Sequence, residues 1–197
     1  PAYDFTKRCL KAGKSVVTSN KELVAQFGAE LLQIAKDNNA NYLFEASVGG
    51  GIPIIRPLSK CLAANEVDEI AGILNGTTNF ILTMMIEKNM SFEDALKLAQ
   101  DNGYAEKDPT ADVEGHDACR KICILASLCF GKHVYPDSVY TEGITKITLD
   151  DVAYIGAFGG VIKLLGRAKR MDDGKIFAIV SPAIVMNGSQ LASVNDV

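Results

Sequence analysis

The sequence predicts an α/β chain, on three observations. Two short apolar runs, residues 15–18 and 42–45, flank a helical pattern, the strand–helix–strand order of a parallel pair. Helical apolar spacing returns through the middle, over residues 77–88, 91–102 and 116–130. Near the end, residues 161–171 and 175–185 are apolar runs either side of Asp172-Asp173-Gly174, a hairpin signal.

Taken in order, residues 3–12 form a helix closed by Gly13 as a left-handed cap. Strand 15–18 leads to Ser19-x-x-Glu22, a capping box that opens a helix over 21–36. After strand 42–45 comes Ser47-Val48-Gly49-Gly50-Gly51-Ile52-Pro53, then a helix over 54–64 and a strand over 67–74. Asn75–Asn79 is a polar insertion between that strand and the helix 77–88, with Thr77 or Thr78 as caps. Ser91-x-x-Asp94 opens the next helix and Gly103 stops it. Residues 104–115 have no period, and a helix over 116–130 is apolar on nearly every face from Ile122. A last helix falls near 149–158.

Composition excludes several classes. The 197 residues are 48% hydrophobic and 22% charged, a globular profile rather than a disordered one. With net charge −4 and no Lys/Arg run beyond two, nucleic acid is not an expected partner. The two long uncharged stretches, 70–86 and 176–195, are interrupted by Asn75-Gly76-Thr77-Thr78-Asn79 and by Ser181-Pro182 and Asn187-Gly188-Ser189-Gln190, so no membrane span is expected. Five cysteines without Cys-x-x-Cys read as reduced thiols, which points to the cytoplasm. The chain begins at Pro1, without Met, and runs at once into a helix; a piece of a longer chain is expected.

Familiar motifs fail in turn. Gly13-Lys14-Ser15 has the ending of a phosphate-binding loop, but Arg8 stands where its first glycine belongs. No Gly-x-Gly-x-x-Gly follows a strand, and two histidines without paired cysteines make no zinc site. What survives is Gly103–Lys121, whose charges crowd a loop that ends on a buried helix. Asp117 and Lys121 are four apart on one helix face. A surface ion pair worth about 0.3–0.5 kcal/mol is the plain alternative. Against it, Lys121 and Lys21 both lie early in helices, where the macrodipole disfavours a cation and lowers an amine's pKa toward proton-transfer range. Lys21 also follows the end of a strand, where open α/β sheets bind ligands. Glu45 with the carbonyls of the glycine-rich loop suits a hard cation, or the loop is simply a tight turn.

Ser19-Asn20-Lys21, Glu45–Pro53, Gly72–Ile81 and Gly103–Lys121, in this order and over nearly the whole chain, resemble homoserine dehydrogenase. The resemblance implies reduction of L-aspartate 4-semialdehyde to L-homoserine with NADPH or NADH, in threonine, methionine and isoleucine biosynthesis. By position, Lys121 matches the acid/base lysine, and Lys21 a second lysine near nicotinamide and substrate. Glu106 and Asp117 match substrate-binding acids, with Asp112 supporting the lysines. Gly103 and Glu106 border the nicotinamide. Glu45, Val48, Gly50 and Ile52 match a sodium site. The implied architecture is a mixed sheet covered by helices on one side, α+β-like, that forms a homodimer. Residues 1–46 would be a remnant of a Rossmann-type nucleotide-binding domain, and 47–197 a catalytic and dimerisation domain. The family's glycine fingerprint is absent, so the 197 residues alone are expected to turn over little. The rivals are another two-domain amino-acid dehydrogenase, of the aspartate or saccharopine type, and a non-enzymatic dimerisation module.

Overall fold

A computed structural model describes residues 1–195. The chain divides into two compact units, each discontinuous in sequence: one takes residues 1–70, 120–139 and 168–178, the other 71–119, 140–167 and the residues from Ile179 on.

In the first unit, α1 (Ala2–Lys11) packs on α2 (Lys21–Asp37). Tyr3 and Phe27 bring their rings to 4.4 Å, and Leu10 of α1 is fully buried. Gly13, at φ +71°, ends α1 as expected: its N–H reaches the Leu10 carbonyl and that of Lys14 reaches Cys9. Strands β1 (Val16–Val17) and β2 (Tyr42–Leu43) pair in parallel, Val16 against Tyr42. Both are shorter than the sequence suggests, because Glu45–Ser47 turns into a 3₁₀ coil. The expected Ser19 cap is corrected by one residue. Asn20 caps α2, its side chain accepting from the Leu23 N–H at 3.0 Å, so Glu22 falls at the wrong position for a box.

The expected helix over 54–64 is also corrected, to a wide turn over Pro57–Cys61 closed by Leu62 N–H on the Pro57 carbonyl. The segment buries no continuous apolar face, Leu62 being exposed. The described sequence nevertheless regains a buried helical core in α6 (His116–Phe130), whose residues Ile122–Ala126 are all buried.

The second unit is built on α3 (Gly76–Lys88), buried on all faces from Thr77 to Met85. Helix α4 (Phe92–Asp101) packs on it through Ala95 and Ala99, whose small side chains are fully buried. Ser91 caps α4 as expected, accepting from the Asp94 N–H. A one-turn helix, α5 (Thr110–Val113), interrupts the stretch that shows no period in the sequence. Helix α7 (Leu149–Ala157) carries a capping box between Thr148 and Asp151.

Strands β3 (Glu69–Gly72), β4 (Tyr140–Thr141), β5 (Gly160–Arg170) and β6 (Ile176–Met186) form one sheet in the order β3-β5-β6-β4. Strand β4 runs parallel to β6, while β5 and β6 are joined by a tight loop, so the sheet is mixed. In that loop Met171 N–H bonds Lys175 O, Gly174 N–H bonds Met171 O, and Gly174 takes φ +77°, the three-residue hairpin that the Asp-Gly signal calls for. The expected strand over 67–74 is corrected to the four residues of β3, and β4, two residues long, has no counterpart in the sequence reading. Among the described residues no helix is long and apolar enough to cross a membrane.

Candidate active site

The loop after α4 supplies the first candidates. Gly103, at φ +76°, lets the chain leave α4: its N–H bonds Gln100 O and that of Tyr104 bonds Ala99 O. Tyr104 is then fixed at both ends, its carbonyl accepting from Thr77 Oγ1 at 2.7 Å and its ring lying 5.0 Å from Phe80. Glu106 is exposed, and its backbone carbonyl accepts from Gln100 Nε2 at 3.1 Å. Asp108 turns the chain into α5 by accepting from the N–H and hydroxyl of Thr110, and these bonds hold its carboxyl below the usual range.

Between α5 and α6 the chain reverses at Gly115, at φ +82°, where a Cβ would press on Thr141, Val180 and the Glu142 carbonyl. That reversal turns Asp112 and Asp117 toward the N-terminus of α3. There Asn75 donates from Nδ2 to both, 2.6 Å to Asp112 Oδ1 and 2.9 Å to Asp117 Oδ2. Its Oδ1 accepts from Thr78 N–H at 2.8 Å and so caps α3. Asn75 and Asp117 are buried and Asp112 is half-buried. The structure thus brings two of the three expected acids together, and Glu106 lies outside this hydrogen-bonded set among the described residues.

Asn75 had been expected only within a polar insertion. Its role as the cap is a correction to Thr77 and Thr78: Thr77 spends its hydroxyl on Tyr104, and Thr78 donates its own back to Asn75. A second polar residue with no signal in the sequence is Lys163 on β5, 1% exposed, with Asn79 Oδ1, Val194 O and Asn195 Oδ1 within hydrogen-bonding reach. A lysine inside a strand otherwise reads as solvent-facing.

The two lysines lie on helices of the first unit. Lys21 is the first residue of α2, directly after its Asn20 cap, and half-buried. Lys121 lies in the second turn of α6, half-buried, just before the wholly buried stretch. Also in this unit, the loop of residues 47–53 turns on Gly49 (φ +61°) and Gly51 (φ +84°). The Glu45 carboxylate accepts three backbone N–H groups, from Ile54, Ile55 and Arg56, at 2.8–3.0 Å. It therefore holds the far end of the loop. The donors that a hard cation would find here are main-chain oxygens, those of Val48, Gly50 and Ile52, because among the described residues no group of three or more His, Cys, Asp and Glu could hold a metal.

A mixed α/β chain with an acid pair presented by a helix cap is the class of structure these residues define. Its fold is shared by solved homoserine dehydrogenases: the Thiobacillus denitrificans enzyme superposes at TM-score 0.96 with 44% identity over all of this chain and 45% of its own. A hyperthermophilic archaeal homoserine dehydrogenase in complex with NADPH superposes at 0.83, with 32% identity over 97% of this chain and 55% of its own. The homoserine dehydrogenase family model matches residues 53–197. The Bacillus subtilis homoserine dehydrogenase is 46% identical over 95% of the chain, and the Pseudomonas aeruginosa one 46% over all of it. The chain belongs to the homoserine dehydrogenase family. It spans less than half the length of these two curated relatives, 43% and 45%.

Proposed function

We propose that this chain provides the substrate-binding and proton-transfer residues for NAD(P)H-dependent reduction of L-aspartate 4-semialdehyde to L-homoserine, in the cytoplasmic synthesis of threonine, methionine and isoleucine. The observation that carries the reading is the acid pair Asp112 and Asp117, set on one buried amide in a chain of this family. Carboxylates held in this way suit the ammonium end of an amino-acid substrate, and Asp117 with Glu106 is assigned that task. Lys121, one helical turn beyond Asp117, is assigned the proton. The nicotinamide, when bound, supplies the hydride. Lys121 gives its Nζ proton to the carbonyl oxygen as the aldehyde carbon is reduced; in the reverse direction it takes the hydroxyl proton. Lys21 is assigned the nicotinamide end, with Gly103 and Glu106 assigned to border the cofactor and Asp112 to support the lysines. Sodium, where present, would be held by the oxygens of Val48, Gly50 and Ile52 and by Glu45, whose carboxylate keeps its three N–H partners. Residues 1–46 are assigned to the nucleotide-binding part and 47–197 to catalysis and pairing of two copies.

The test is Lys121→Ala in the longest natural chain that contains these residues. The expected outcome is a fall in kcat of roughly 10²–10⁴-fold at unchanged melting temperature, read from NADPH consumption with the semialdehyde. Unchanged turnover would reject the assignment.

A further inference from the structure

We propose that Asn75 is a positioning residue that sets Asp117 for the ammonium group of an amino-acid substrate and holds beside it Asp112, the acid that supports the lysines; this rests on the reading above. Asn75 has one amide and spends every part of it. Its oxygen takes the Thr78 N–H at 2.8 Å and the Thr78 hydroxyl at 3.0 Å, so the amide cannot turn over without breaking the cap of α3. Its nitrogen therefore faces away from the helix, and each of its two hydrogens has one carboxylate to meet, 2.6 and 2.9 Å away. Both acids are 37 or more residues distant in sequence, and this amide joins α5 to the first turn of α6 at a common point.

A neutral donor is the fitting group there. It fixes the rotation of two carboxylates and favours their charged forms, yet adds no positive charge that would compete with an incoming ammonium. An arginine or lysine in its place would neutralise the pair. An aspartate would cap α3 equally well but set a third carboxylate against the first two. The buried position, 6% exposed for Asn75 and 7% for Asp117, keeps water from substituting for the amide.

The cap and the positioning role separate by mutation. Asn75→Ser and Asn75→Asp both retain a capping oxygen, and neither retains the amide N–H₂. In the longest natural chain that contains these residues, both are expected to keep their helix content, and Asn75→Ser its melting temperature as well, while the third buried carboxylate of Asn75→Asp lowers the melting temperature. Asn75→Ser is expected to raise KM for homoserine roughly 10- to 100-fold and to weaken homoserine binding measured calorimetrically by the same factor, with kcat little changed. Asn75→Asp, with its added charge, is expected to alter the pair's protonation and displace the acid limb of kcat/KM to higher pH. Unchanged homoserine affinity in Asn75→Ser overturns the proposal, as does a joint fall of kcat and affinity with lost helix content, the mark of a purely structural role. Asp117→Asn separates the two failures. If it weakens homoserine binding while Asn75→Ser does not, only the role of Asn75 falls; if it too leaves binding intact, the ammonium-site reading falls and this proposal with it.

Discussion

A methyl group added at Gly143 would overlap the Val113 carbonyl oxygen and the Cα of Glu114, both backbone atoms that cannot step aside. The neighbouring Ile144 N–H bonds that same carbonyl at 2.8 Å, so the contact is the one that seats α5. Gly143→Ala is therefore expected to cost several kcal/mol, roughly 3–5, and to lower the yield of folded protein, measured by urea unfolding. A retained denaturation midpoint would show that α5 can move without loss. His133 makes a second prediction at this scale. Burial pushes its imidazole below the usual 6.5, against the weaker pull of a hydrogen bond to the Ala25 backbone, and Nε2 is buried without a partner. A histidine whose native pKa is depressed binds its proton more readily when unfolded, so its share of stability is present above pH 6.5 and lost as pH falls below it. His133→Gln is expected to flatten the decline in stability from pH 6.5 downward, read from thermal melts across that range. Residues of this kind were partly legible. Lys121 and the acids stand out because charge concentrates around them, and Lys21 because it opens a helix just after a strand, whereas Asn75 is one of four polar residues in a five-residue insertion. Its partners lie 37 and 42 positions away, and only the reversal at Gly115 brings them to it.

Helices were legible wherever a cap and a buried stripe coincide. Ser91 with Asp94, and Gly103 two residues beyond the last helical one, bracket α4 within a residue of its sequence expectation. The Ser91 hydroxyl serves the orphan Asp94 N–H at 3.1 Å, so Ser91→Ala is expected to remove about 1 kcal/mol and lower the melting temperature by about 2–4 °C. A melt that does not move would mean that water caps the helix equally well. Elements set by tertiary pairing were not legible. The two residues of β4 form a strand because β6 lies alongside, Tyr140 opposite Ile179 and Thr141 opposite Val180, and nothing in a dipeptide announces that. Residues 54–64 erred the other way: their apolar content suggests a helix, but no continuous face is covered, and the coil is short and widened over Pro57–Cys61. At the start of α2 two capping residues stand side by side, and Asn20 takes the role that Ser19-x-x-Glu22 claims in sequence.

At the scale of the molecule the separate parallel pair β1–β2 and the β5–β6 hairpin were legible, but the strand order of the mixed sheet was not, since β3 joins β5 across almost 90 residues. The second unit's surface also carries an unspent apolar load. At the end of β6 Val185 is buried between Ile184 and Met186, which are exposed at 60% and 55% on the other face, so this stretch turns apolar side chains to water. Tyr154 and Phe158 on α7, their rings 5.0 Å apart, are exposed at 66% and 64%. Large exposed apolar side chains mark an interaction surface, and a second copy of the chain is the proposed occupant. Burial of such side chains on association would contribute about 25 cal/mol per Å² of apolar surface covered, before the entropy of association is met. Ile184→Glu places a charge where a two-fold contact would desolvate it twice, once from each copy. The expected outcome is a shift from dimer to monomer in light scattering coupled to size-exclusion chromatography, with the circular dichroism of the monomer unchanged. A wild-type chain that runs as a monomer at every concentration would remove the second copy, and with it the assignment of this face.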